Sequence, residues 1–453
     1  MTTRSLDRAC TGALALSFLA LAAFACGATS DASDAGAGDD GGVEIPETDG
    51  LDDDASAPPP VPPADPPDAG GPTPIKYVLV LVKENHTFDN YFSGFPGAES
   101  AGPTAKLSTG KTVTRTRAPD GPLAKDPCHS NACGQTAYRS GGMNGFDLTG
   151  SGNLPFAYYD EKQIPAYWRY AREFVLADHH FSTTLGPSTP GHVAHWTGQS
   201  MVLDNAKCTR AGGTGCTGFG CTADAYTKIT SYDPAACTTK TTAPCFDVPI
   251  LTDHLPNGFT WMDYGGPVAL MAKSVSKDPG YKAHFRAQGA LVTDLEGGHI
   301  ANLTIAHLWS GDASEHPAAS PCVGENFSVD VINAAMKLPQ WKEMAIVLTW
   351  DDWGGFYDHV APPVHKCKNG EIFQQGFRLP LLVISPYAKK GYVLKTPTEQ
   401  ASVPRLVEEL WGLPFMTARD PNARDGTAGS LMDAFDFQQS ARAPITVAKR
   451  TCP

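Results

Sequence analysis

Apolar residues follow two rhythms along this chain. Short continuous apolar runs stand at 77–82, 174–176, 259–262, 303–306, 345–349 and 379–384. Runs of this length predict strands buried on both faces. Between them, apolar positions recur at helical spacing over Pro165–Arg172, Ser328–Met336 and Val403–Leu410. The alternation predicts an α/β fold, a mostly parallel central sheet flanked by helices on both faces. No internal repeat is present, and the stretches between the periodic segments read as loops inserted into one domain.

One run ends abruptly. After Tyr77–Val82 come Lys83, Glu84, Asn85 and His86, four polar residues at the end of a buried strand. In open parallel sheets, ligands bind beyond the carboxyl ends of the strands. Two more polar clusters follow expected strands: Asp178-His179-His180 and Asp351-Asp352. The three would meet on one rim.

Glu84, Asn85, Asp351 and Asp352 offer three carboxylates and an amide oxygen. Three such charges repel unless a cation sits among them. An all-oxygen set suits a hard divalent ion such as calcium, magnesium or manganese better than zinc. The alternative is that Asp351 and Asp352 cap a turn near Gly354 and Glu84 is solvated. In LGPSTPGHVAH, the Gly186-Pro187 turn exposes Ser188, and Pro190 suits the first turn of a helix. Ser188 is either a nucleophile or an ordinary helix cap. His129 and His316 lie in turn-rich loops, where a histidine serves as oxyanion ligand or general acid, or is simply a surface residue. His359 reads as a structural hydrogen-bonder. No G-x-S-x-G elbow occurs, which argues against a carboxylesterase.

Composition changes the picture in two places. Residues 1–26 carry Arg4 and Arg8 before a short apolar run and read as a secretory signal; Cys26-Gly27 leaves lipoprotein and plain secretion both open. Residues 27–74 hold twelve Asp and Glu and no Lys or Arg, and read as a disordered acidic tether. The chain is −13 overall, the tether −12 and residues 1–26 +1, so residues 75–453 carry only −2. That near-neutral part has no basic patch, so a nucleic-acid partner is not expected. Twelve cysteines are present, ten of them beyond the export segment. An even number in an exported chain predicts up to five disulfides. Cys208, Cys216, Cys221, Cys237 and Cys245 fall together and predict a stapled surface insertion with no catalytic part.

Several blocks, in order, resemble the bacterial phosphoesterase family of non-specific phospholipases C and acid phosphatases, a branch of the alkaline phosphatase-like superfamily. They are VLVLVKENHTFDNYFSGFPG, GGMNGFD (Asn144 standing where Asp is usual), YYDEKQIPAYWRYAREFVLADHHFSTTLGPSTP, LTWDDWGGFYDHVAPP, GFRLPLLVISPYAKKGYV and LMDAFDF. Together they span roughly residues 76–437. The resemblance implies an alkaline phosphatase-like domain over 75–453. It implies metal ligands at Glu84, Asn85, Asp351 and Asp352, a nucleophile at Ser188, and phosphoryl-binding or proton-donating roles for His129 and His316. Three departures concern the site. Asp352 stands where Glu is usual, Gly191-His192 where Asn-Arg is usual, and Gln400 where His is common.

The expectation is therefore an exported, metal-dependent hydrolase of phosphate esters, periplasmic, lipid-anchored at the outer membrane, or secreted. The short stretch after LMDAFDF inclines it towards an acid phosphatase acting on monoesters. The alternatives are a phospholipase C releasing phosphorylated head groups and, from another class, a catalytically weak ligand-binding surface protein. Substrates would be small phosphate esters or phospholipids.

Overall fold

The computed structural model describes residues 72–199, 201–233, 236–366 and 372–453. The expected signal, the tether up to residue 71, and Cys10, Cys26 and Cys367 lie outside the described residues.

Among the described residues, nine strands form the main sheet. They are β1 (Tyr77–Lys83), β2 (Val175–Phe181), β3 (Trp261–Tyr264), β4 (Phe285–Arg286), β5 (Leu303–His307), β6 (Met344–Trp350), β7 (Arg378–Ile384), β8 (Tyr392–Leu394) and β9 (Thr398–Glu399). Their order is β4-β3-β5-β1-β6-β7-β2-β8, with β9 also paired to β2. Four longer helices accompany them: α1 (Pro165–Glu173), α2 (Ser188–Thr197), α3 (Pro321–Lys337) and α4 (Ser402–Trp411). Every residue of β1, β6 and β7 is buried. Strand side chains alternate between faces, so both faces of the sheet are covered. Each large apolar side chain so buried contributes about 1.5–3 kcal/mol.

The expectation of a mostly parallel sheet is borne out in part: the sheet is mixed. β7 runs antiparallel to both β6 and β2. The other strand pairs of the sheet are parallel. A continuous apolar run such as β7 fits either direction, because burial on both faces removes the alternation that would distinguish them.

Two element boundaries shift by several residues, and the strand expected at 259–262 forms at Trp261–Tyr264. α3 begins at Pro321, before the expected Ser328, because Pro fits a first helical turn. β2 runs on through Asp178, His179 and His180 to Phe181. These three residues were expected at the rim with the other clusters, yet the structure spends them on local partners. Asp178 pairs with Arg378 and Lys395, His179 with Glu99, and His180 Nδ1 with Thr398 Oγ1.

Arg378 is the centre of a second charge cluster. Its guanidinium contacts Asp358 at 3.1 Å, Asp89 at 3.2 Å and Asp178 at 3.5 Å, all fully buried. His359 joins as a hydrogen-bonder, its Nδ1 2.6 Å from Asp89 Oδ2.

Four disulfides join Cys128 to Cys133, Cys208 to Cys216, Cys221 to Cys245 and Cys322 to Cys452. Cys237 is disulfide-bonded too. The Cys-rich insertion folds on a small three-stranded sheet of Lys207–Cys208, Thr227–Asp233 and Thr238–Thr242.

Arg378→Leu removes the cation shared by three buried carboxylates and, among the described residues, leaves only Asp178 with another Lys or Arg partner, Lys395. The expected cost is about 3–5 kcal/mol of unfolding free energy, measured by urea denaturation. A loss below about 1 kcal/mol would mean the cluster does not hold the sheet.

Candidate active site

Parallel pairing of β1 with β6 sets Lys83 beside Trp350. The residues that follow each strand therefore emerge side by side. Glu84 and Asn85 come from β1, Asp351 and Asp352 from β6, and all four side chains are buried. The Asn85 N–H donates to Asp351 Oδ1 at 3.1 Å and ties the two strand ends together. Asn85 holds a left-handed conformation, with φ of 67°. Gly354 packs against it, and a Cβ there would collide with the Asn85 carbonyl oxygen.

Ser188 is the first residue of α2, and its side chain caps nothing. The hydroxyl instead lies 3.1 Å from Glu84 Oε2 and 3.2 Å from Asp352 Oδ2. The capping alternative is thus not the one taken by Ser188. Asp352 divides its carboxylate: Oδ1 accepts from the Gly354 N–H at 2.6 Å, which caps the turn, while Oδ2 faces Ser188.

The two loop histidines converge on Asn85. Its amide lies 3.3 Å from His129 Nε2 and 3.0 Å from His316 Nε2. His129 Nδ1 donates to the Pro127 carbonyl at 2.8 Å, and His316 Nδ1 to the Pro317 carbonyl at 2.8 Å. A carbonyl can only accept, so each ring presents Nε2 to the site. The Cys128–Cys133 disulfide pins the loop beside His129. The structure thus brings all seven expected residues together.

Other residues at the rim carry no assigned role in the sequence reading. His192 Nε2 lies 2.7 Å from Glu84 Oε1. Asp126 stands 3.5 Å from His129 and 4.0 Å from His316. Gln400 donates to the Asp351 carbonyl and accepts from the Thr183 N–H. Gly191 gives Gln400 the room to do so, since a Cβ there would meet both the Asp351 carbonyl oxygen and the Gln400 amide. Two departures from the family pattern therefore fit each other. Asp126 was legible only as a neighbour of His129; His192 carried no signal beyond that departure. The region of the Cys-rich insertion is also nearer than expected. Asn205, just before it, accepts from the Thr189 N–H at 2.9 Å, and Phe219 packs edge-on against Trp309, which touches His192.

Burial and mutual repulsion dominate the electrostatics. Burial pushes Glu84 up to about 8. Burial, then the Glu84 charge, pushes Asp351 up to about 7. Burial and the Asp351 charge hold Asp352 well above the carboxylate range. Among the described residues, no Lys or Arg forms an ion pair with any of the three. The Asn85 amide bears on the same question. The amide atom turned towards the carboxylates lies 2.9 Å from Glu84 Oε2 and 3.1 and 3.3 Å from the Asp351 oxygens. With nothing between them it should be nitrogen; with a cation it should be oxygen. The donor set therefore fits a hard divalent ion, which Glu84, Asn85, Asp351 and Asp352 would hold.

The sequence model of the Phosphoesterase family matches residues 75–414. Non-specific phospholipase C6 of Arabidopsis thaliana is 26% identical over 77% of this chain and 70% of its own. Phospholipase C A of Mycobacterium tuberculosis is 24% identical over 81% of this chain and 78% of its own. Non-hemolytic phospholipase C of Pseudomonas aeruginosa is 24% identical over 82% of this chain, which spans 58% of that protein. Among solved structures, the phosphonate monoester hydrolase of Silicibacter pomeroyi aligns with 62% of this chain and 72% of its own, at 13% identity and a TM-score of 0.31.

The raised carboxyls set a pH dependence. A carboxyl whose folded pKa exceeds its unfolded value stabilises the fold while protonated, and that contribution is lost as pH rises. For Glu84 and Asp351 the loss runs from about 4 to about 7–8. An ion binds the deprotonated forms, so it offsets the loss most at high pH. Calcium or manganese should raise the melting temperature at pH 8 by several degrees more than at pH 5, read by scanning fluorimetry. Equal shifts at both pH values would show that these carboxylates are not the ligands.

Proposed function

The chain belongs to the phosphoesterase family and is a hydrolase of phosphoric esters; on that premise we propose that it works through Ser188 as nucleophile in a metal-assisted site. The observation that carries this reading is the hydroxyl of Ser188 poised between two buried carboxylates at the start of a helix. The Ser188 Oγ–H has a proton acceptor at hand in Glu84 Oε2 or Asp352 Oδ2. Once deprotonated, Oγ attacks phosphorus and the bond to the leaving alkoxide breaks. His129 and His316 face the phosphoryl oxygens through Nε2; since each ring keeps its Nδ1–H on a backbone carbonyl, the one that protonates the leaving group does so as an imidazolium that gives up its Nε2 proton. Water then hydrolyses the phosphoserine, with proton transfer running in reverse. A divalent ion bound at Glu84, Asn85, Asp351 and Asp352 would lower the pKa of the Ser188 hydroxyl and screen the developing charge.

For the substrate, we place phospholipid-type diesters ahead of the monoesters suggested by the sequence alone. The relatives described above all bear the name phospholipase C. Monoester hydrolysis is the second reading. The division into a signal at 1–26, a tether at 27–74 and a phosphoesterase domain at 75–453 belongs to the same proposal, as does export. Four disulfides support passage through an oxidising compartment. No helix among the described residues is long and apolar enough to cross a membrane. A lipid anchor at Cys26 remains part of the proposal.

The test pairs p-nitrophenyl phosphorylcholine with p-nitrophenyl phosphate, across acid to neutral pH and with added divalent ions. Turnover of the first is expected; turnover of the second alone would make this a phosphatase. Silence on both, from folded and metal-loaded protein, would favour the ligand-binding alternative. Ser188→Ala should lower kcat/KM on the order of 10⁴-fold or more while leaving the circular dichroism spectrum unchanged. Full activity in that variant would remove Ser188 from the mechanism.

A further inference from the structure

His192 raises a question that the family resemblance does not. Its Nε2 lies 2.7 Å from Glu84 Oε1 and 3.6 Å from Asp351 Oδ2. Glu84, His192 and Asp351 together have the spacing of a metal-ligand group. An imidazole ligand would soften the site and move its preference towards zinc. Whether His192 is a ligand depends on which of its nitrogens carries the proton.

The neighbours of His192 decide that. Its Nδ1 lies 2.8 Å from His307 Nδ1. His307 Nε2 in turn lies 3.0 Å from Trp196 Nε1, and the indole N–H donates to it. An indole nitrogen is a donor only, so His307 Nε2 must be the acceptor. A neutral His307 then carries its proton on Nδ1 and donates it to His192 Nδ1. His192 is left with its own proton on Nε2, pointing at Glu84 Oε1. The carboxylate of Asp263 does not compete, since its Oδ1 stands 3.6 Å from His307 Nε2. The rings are also held in place. His307 stacks on Trp309 and His192 meets Trp309 edge-on, with both histidines fully buried.

We propose that Trp196, His307 and His192 form a one-way hydrogen-bond relay that fixes His192 as an Nε2–H donor to Glu84 Oε1. His192 is then a positioning residue and not a metal ligand. It occupies Oε1 and keeps Oε2 facing Ser188 and Asn85, so that Glu84 offers the site one oxygen in one orientation. Its value to the reaction rests on the reading under Proposed function; the tautomer does not.

The experiment is ¹H–¹⁵N multiple-bond NMR on the full chain labelled at histidine nitrogens, with His192 assigned from the His192→Gln spectrum. His192 should be protonated on Nε2 and His307 on Nδ1, and both should stay so when calcium or zinc is added. Trp196→Phe should release His307 into a mixture of tautomers. A proton on His192 Nδ1, or loss of the Nε2 proton on adding zinc, would overturn the relay. Calcium binding is measured in parallel by calorimetry. His192→Gln keeps a donor near the Nε2 position and should bind within about threefold of the natural chain. His192→Asn, whose amide stops short of Glu84, should bind at least about tenfold more weakly. Equal binding by the two variants would refute the positioning role. A natural chain that binds neither calcium nor zinc would overturn the metal reading above, while the tautomers would still decide the relay.

Discussion

The parallel register of β1 and β6 is the constraint on which the site depends. Because Lys83 pairs with Trp350, the next residues of each strand bring three carboxylates into one buried volume. Two unit charges about 4 Å apart repel by about 4 kcal/mol at an effective dielectric of 20. That exceeds the worth of an ordinary surface ion pair, about 0–1 kcal/mol. The rim must therefore be protonated or hold a cation. Its neighbours follow from this: a serine hydroxyl, an asparagine amide, backbone N–H groups and a tautomer-fixed histidine all turn towards the carboxylates.

The rest of the interior handles charge differently. Lys83, the last residue of β1, is fully buried and lies 2.9 Å from Glu315 Oε1. Tyr91 and Trp350 also donate to that carboxylate, from 2.8 and 3.3 Å. Arg378 does the same for three aspartates across β7. In both clusters the protein supplies its own cation. At the rim no described Lys or Arg does so, and the three carboxylates have the oxygen donors that a divalent ion would use.

The loops around the rim are fixed by means that have little to do with the sheet. The Cys128–Cys133 disulfide holds the loop that carries His129, and Gln400 and Gly191 interlock beside Asp351. Asn205 and Phe219 bring the Cys-rich region against α2 and Trp309. An insertion that reads as surface decoration therefore forms part of the wall beside the relay.

The sequence by itself determined the α/β class, the main strands, and the residue types at the ends of β1 and β6. Continuous apolar runs ending in carboxylates are local signals, and they need no knowledge of what lies opposite. The ordered blocks shared with a known family added Ser188, His129 and His316. Only the tertiary structure decided the direction of β7, because a strand buried on both faces carries no mark of its orientation. Only it separated Asp178 from the rim, since the neutralising Arg378 lies 200 residues away in sequence. The tautomer of His192 was equally beyond the sequence: it is set by His307 and Trp196, whose contacts exist only once β5 and α2 have packed together.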